Sequence, residues 1–310
     1  MYTSKLVNWL DEVDPYAIQR IVLGKTLFIA TILVAVYWVF QPNNFMMFTA
    51  PILVSSFYEL PTVSSLPEKE RLLMFIFAAT LIGSVSFYLI YPFKVIFFFY
   101  ATFFMSALYF LVVKYFGELK NITMIILATL TITIGGSSAA NLQVAYDMST
   151  SAMLSMITIL ICLRIYPNRS LIIWRRAMRK FIACVEQDIE AAIRHQHKHL
   201  FGDEVSHLGI VRAFRRLIPK PDLRHAYRVA IYIRNIQFAL DNLYFENVNE
   251  AFWRAIQHSF AQLRQSMGTR TLCPLPEPPI VAETALQQYV VKHLNKAIHR
   301  WNLLCNAHRT

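Results

Sequence analysis

The sequence predicts an all-α membrane protein of six transmembrane helices followed by a cytosolic helical domain. Three observations lead there. Of the 310 residues, 56% are apolar and only 16% charged, against roughly 45–50% and about 25% in soluble domains. The formal charge of +11 is split, because residues 1–166 hold 9 Lys+Arg and 8 Asp+Glu whereas residues 167–310 hold 21 and 11. The apolar half also breaks into consecutive runs near the roughly 20 residues that a helix needs to cross a bilayer. Together these exclude a secreted disulfide scaffold, a collagen-like or disordered chain and an ordinary soluble enzyme.

The predicted division is a cytosolic lead over 1–17, a membrane domain over 18–166 and a basic helical cytosolic domain over 167–310. The lead contains Asp11, Glu12 and Asp14-Pro15, which does not match a basic signal-peptide start. Asp14 and Pro15 are expected to be the N-cap and first-turn proline of the first long helix. The six spans are expected near 18–40, 45–60, 71–91, 93–113, 121–140 and 148–166. The breaks carry turn or helix-start chemistry: Gln41-Pro42-Asn43-Asn44, Ser65-Leu66-Pro67-Glu68, Tyr91-Pro92, Asn121 and Asn141.

Orientation follows the distribution of Lys and Arg in the short loops. With a cytoplasmic N-terminus, Lys5, Arg20, Lys69, Arg71, Lys114, Lys120 and the run from Arg164 to Lys180 lie inside, and Lys94 alone lies outside. Both termini are then cytoplasmic and the location is the cell inner (plasma) membrane.

Two spans are not uniformly apolar. The second carries Thr49, Pro51, Ser55 and Ser56; the fifth carries Thr131, Thr133, Gly135, Gly136, Ser137 and Ser138. Interrupted segments at corresponding positions of two three-helix halves point to a substrate path, since a broken helix frees backbone dipoles for a ligand. The plainer reading is that small residues permit close helix packing. Arg20, Lys25 and Arg71 are the cations placed to attract an anion, although Arg20 and Lys25 can also snorkel to the interface. None of the nominal spans has an acidic residue at mid-depth.

Beyond Pro167, helical spacing predicts helices near 168–200, 204–217, 222–246, 248–267 and 282–307, with a stiff proline-rich connector at Cys273–Pro279. The last helix should bury a stripe of Leu286, Tyr289, Val290, His293, Leu294, Ala297, Ile298, Trp301 and Leu304. Arg175, Arg176, Arg179 and Lys180 lie where anionic lipid head groups are met. Net positive charge also suits nucleic acid, but no finger, basic-zipper or RNP-like pattern accompanies it. The four scattered cysteines are read as reduced thiols. His195 and His199 share a helix face without an acidic or Cys ligand nearby, so no metal is expected. No phosphate-binding loop or nucleophile elbow is present, so neither a catalytic residue nor a cofactor is expected.

The six-span layout with a basic helical module, together with Glu70-Arg71-Leu72-Leu73 leading into Ala78-Ala79-Thr80-Leu81-Ile82-Gly83, resembles the fusaric-acid-resistance-like and aromatic acid exporter superfamily. The plant aluminium-activated malate channels share the layout. The resemblance implies export of small organic anions, aromatic carboxylates among them, by a homo-oligomer of at least two copies, since full-length bacterial members look like two such units in tandem. A passive anion channel and a membrane scaffold that recruits a cytosolic partner are the alternatives.

Overall fold

In a computed structural model of the chain, the described residues are 9–55, 66–115, 123–124, 126–127, 130, 142–194, 202–214, 217–240, 249–277 and 279–307. Among them every long regular element is a helix. They are α1 (Ile18–Phe40), α2 (Phe45–Ser55), α3 (Leu66–Ile90), α4 (Lys94–Tyr115), α5 (Leu142–Ile165), α6 (Ser170–Ile193), α7 (Gly202–Phe214), α8 (Lys220–Leu240), α9 (Glu250–Thr269) and α10 (Ala285–Asn306). Four of these, α1, α3, α4 and α5, are long and apolar enough to cross a membrane. The chain forms two compact units, one from Ile21–Pro167 and one from Met1–Arg20 together with Asn168–Thr310. The described residues of the N-terminal lead share a unit with the basic helices.

The apolar unit wears its hydrophobic side chains outward as well as inward. Val34, Trp38 and Phe40 of α1, and Phe98, Phe103 and Phe110 of α4, are all exposed. Such a band of large apolar groups is unfavourable in water and suits lipid. Inside, one cluster joins Ile29 and Leu33 of α1, Met47 and Phe48 of α2, Leu73, Phe77 and Tyr88 of α3, and Ala145 to Cys162 along α5. A second joins Leu72, Ile76, Ala79 and Phe87 of α3 to Leu108 of α4 and to Ile126 and Leu130. Helix α3 thus presents two buried faces, which is why its apolar residues show so little sidedness.

Helices α3 and α4 form a hairpin. The break at Tyr91–Phe93 is closed by the Phe93 N–H donating to Ile90 O at 2.9 Å, and Phe87 packs edge-on against Phe97, Tyr100 and Phe104. Leu130 then lies against α3: a Cβ on Gly83 would stand 2.8 Å from its Cδ2 and 3.1 Å from Phe104 Cζ. A side chain at 83 would force Leu130 or Phe104 to shift. At the other end of the unit, Tyr166 packs on Phe28 with ring centroids 5.6 Å apart. Its hydroxyl lies 3.3 Å from where a Gly24 Cβ would be, so the start of α1 meets the end of α5.

In the basic unit, α6 to α10 bury Trp174, Phe181, Val185, Ile233, Trp253, Phe260, Leu294 and Ile298 in one core. The caps are local. The Asn249 side chain accepts from Phe252 N–H and Thr284 accepts from Gln287 N–H, each at 3.2 Å. Each such cap is worth roughly 1 kcal/mol. Asn302 holds the start of the proline-rich connector by accepting from Cys273 N–H and donating to Cys273 O. Trp301 Nε1 donates to Thr271 O at 3.0 Å. The four cysteines are free thiols.

Several boundaries differ from expectation for physical reasons. Pro15 does not open α1. Residues 14–17 form a turn with Ala17 at φ 62°, and Asp14 caps from outside, accepting from Ile18 N–H at 2.9 Å and Arg20 N–H at 3.0 Å. Helix α5 begins at Leu142 rather than 148, so Asp147 lies within its second turn, accepting from Gln143 Nε2 at 3.4 Å. Helix α6 starts at Ser170 because Asn168 caps it, accepting from Ser170 N–H at 2.9 Å while donating to Leu217 O. In the α10 stripe, Tyr289 is exposed and His293 is half-buried against Tyr232, whereas Gln287 is buried and accepts from Glu283 N–H at 2.8 Å.

Candidate functional site

Helix α3 carries Leu73, Phe77, Thr80, Ser84 and Tyr88 at spacings of three or four, which puts them on one face. Helix α5 carries Ala145, Met148, Ala152, Ser155, Ile159 and Cys162 in the same rhythm. The apolar members of both stripes share one cluster, so the hydroxyls among them are held inside the apolar unit. Thr80, Ser84 and Ser155 are each 0% exposed, and Thr80 Oγ1, Ser84 Oγ and Ser155 Oγ have no hydrogen-bond partner.

That state is unusual for helical hydroxyls. Ser86, Thr102, Ser149 and Thr158 donate back to the carbonyls four residues before them at 2.6 to 3.0 Å, which is their common way of being satisfied. Ser151 accepts from Asn44 N–H at 3.3 Å. An unsatisfied buried hydroxyl costs about 1–3 kcal/mol, so each of the three is an unmet demand for a polar partner. Each offers one donor and two acceptor lone pairs and no charge.

The residues singled out from sequence lie elsewhere or outside the described set. Arg20 is held by Asp11 at 2.8 Å, by Asp14 Oδ2 at 3.5 Å and by Asp14 O at 2.8 Å. Lys25 is half-buried in α1, and Arg71 is exposed at the start of α3. Pro51 is buried inside α2, where it has no N–H to give the helix. Thr49 donates to Met46 O at 3.0 Å. Ser55 ends α2. Ser56, Thr131, Thr133, Gly135, Gly136, Ser137 and Ser138 lie outside the described residues. So does the pair His195 and His199.

The basic unit concentrates charge at the start of α6. Asp11 bridges Arg20 and Arg176, at 2.8 and 3.0 Å, and the hydrogen bond from Arg20, followed by the one from Arg176, holds its carboxyl below the usual carboxylate range. Arg175 is half-buried and its guanidinium is pushed down to about 10, first by burial and then by Arg270, Arg179 and Arg176. Room for Arg179 comes from Gly268, where a Cβ would lie 3.2 Å from its Cζ. Farther along α6, burial raises the Glu186 carboxyl despite Arg264 at 3.0 Å. Glu190 is lowered by the hydrogen bond from Gln257, with Arg254 and Arg194 adding to it.

The apolar helices mark a membrane-embedded helical protein, and its apolar unit buries three hydroxyls without partners. No family model, curated protein or solved structure matches the chain.

Proposed function

We propose that the protein is a six-pass membrane transport protein that moves small organic anions and works as a homo-oligomer. The observation that carries this reading is the set of three buried, unpartnered hydroxyls, Thr80, Ser84 and Ser155. A purely structural bundle gains nothing from leaving them unsatisfied. An anionic solute is favoured by the basic balance of the chain and by the clustered guanidiniums of Arg175, Arg176 and Arg179, which also suit anionic lipid head groups.

The crossing number has its own support. The Asp11–Arg176 pair ties the lead to the first of the basic helices, which favours an even number of crossings. Helix α4 returns toward the start of α3. Leu130, fifteen residues past Tyr115, lies against Gly83, about 25 Å along α3 from Leu66 at 1.5 Å per residue. That climb is most of a bilayer core and supports a fifth pass between α4 and α5. An even count then makes α2, with its internal Pro51, the remaining short crossing.

The test is flux in reconstituted vesicles across a panel of aromatic and aliphatic carboxylates. Saturable flux that falls when Thr80→Val, Ser84→Ala and Ser155→Ala are combined is the expected result. Flux unchanged by that triple variant, or no flux across the panel, contradicts the reading. A passive anion channel is the second reading, favoured because the acidic residues of the described membrane-length helices lie within their first two turns, so none of those four helices offers a carboxylate at depth for proton coupling. Unitary currents in a planar bilayer distinguish it from a carrier.

A further inference from the structure

The basic unit holds a cavity of about 550 Å³ framed by α6, α7 and α8, within the range of small-molecule sites. Its walls are apolar and aromatic: the buried Trp174, with Leu208, Ile231 and the exposed rings of Tyr227 and Phe238. Gly209 faces it with nothing within 4 Å of where a Cβ would be. Two cations stand at its rim, Arg212 near the end of α7 and Arg234 on α8. Arg234 lies over the Phe238 ring, 4.9 Å from its centroid, and among the described residues neither arginine makes an ion pair.

We propose that this cavity binds a small amphipathic organic anion, a carboxylate or sulfonate on an apolar ring or chain, with Arg212 and Arg234 taking the anionic group and Trp174, Tyr227 and Phe238 taking the body. The chemistry is in the juxtaposition. A guanidinium stacked on an aromatic face keeps its N–H edge free for an oxyanion, and two positive charges beside apolar walls select against neutral and cationic ligands. Exposed aromatic rings such as Tyr227 and Phe238 gain stability when a planar body covers them. The site belongs to the basic unit and the buried hydroxyls to the apolar unit, and its role in this proposal is sensing or loading of the anion.

The experiment is isothermal titration of the full-length protein in lipid nanodiscs with 2-naphthoate and, in parallel, neutral 2-naphthylmethanol. Saturable one-site binding of the naphthoate is expected, weakened about tenfold or more by the double change Arg212→Gln and Arg234→Gln. The corresponding lysine variants should retain most of it. Gly209→Trp fills the open space and abolishes binding while thermal unfolding stays at the wild-type midpoint. Binding unaffected by both the glutamine pair and Gly209→Trp overturns the assignment. So does equal affinity for the neutral analogue. Vesicle flux by the glutamine pair is measured alongside. Lost binding with retained flux marks a separate site, whereas absent flux in all variants bears only on the transport reading.

Discussion

Asp11 accepts from Arg176 at 3.0 Å across 165 residues of sequence, and the same carboxylate oxygen accepts from Arg20 at 2.8 Å. This contact, beside that of the Tyr16 ring with Lys180, joins the lead to the first helix after the membrane-length segments. It also uses Arg20 for structure, so a cation that looks available for ligand in the sequence is largely committed.

Asp11→Asn should loosen that tie modestly. The side chain is half-exposed, and solvent screening limits an exposed pair to about 1 kcal/mol or less. The Asp11 carboxyl sits below its ordinary value, so its contribution is full above the ordinary carboxylate range and is lost as pH falls through the lowered value. Unfolding midpoints of wild type and variant should differ at pH 7 and converge in strong acid.

Thr80→Val and Ser155→Ala should leave stability unchanged or raise it by about 1 kcal/mol, because each removes a buried hydroxyl that has no partner. The parallel change Thr158→Val removes a hydroxyl that donates to Leu154 O at 2.8 Å and should not stabilise. Chemical unfolding in micelles compares the three. A loss of several kcal/mol in the first two would mean that the hydroxyls are satisfied.

Gly83→Ala should cost about 1–3 kcal/mol through overpacking against Leu130 and Phe104. Leu130→Ala should relieve part of that cost, giving a coupling energy of the sign expected for residues in contact. Strict additivity in the double-mutant cycle would separate the two residues and remove the support for a fifth pass.

His225 makes the basic unit acid-sensitive. Burial, then Arg300, Arg224 and Arg228, push its imidazole below 6.5, with Asp222 opposing them, and its Nδ1 is buried without a partner. As pH falls the unfolded chain takes up the proton first, so stability is full above about 6.5 and declines below it. His225→Gln should flatten the dependence of the unfolding midpoint between pH 7.5 and 5.5. A slope identical to wild type would assign it to other groups.

Helical periodicity made the basic half legible, since Val290, Leu294, Ala297, Ile298, Trp301 and Leu304 are buried as the stripe requires. It failed at Gln287, whose burial depends on a cap contact with Glu283 that no period encodes. In the apolar half, residue lengths gave α1, α3, α4 and most of α5, but hydropathy says nothing about sidedness in lipid. The buried hydroxyls were hidden for another reason. Ser and Thr in apolar helices usually bond to the preceding turn, and only packing distinguishes Ser155, which does not, from Thr158, which does. The signal that was present is the ladder Thr80, Ser84, Tyr88 at intervals of four.

The most direct test of the six-pass account is the sidedness of the α3–α4 turn. Lys94→Cys and Arg71→Cys, both exposed positions, are treated with a membrane-impermeant maleimide in intact cells and after permeabilisation. Six passes with a cytoplasmic N-terminus predict that position 94 labels in intact cells and position 71 only after permeabilisation. Labelling of position 71 in intact cells with protection of position 94, the pattern of a four-pass chain made of α1, α3, α4 and α5 alone, would contradict it.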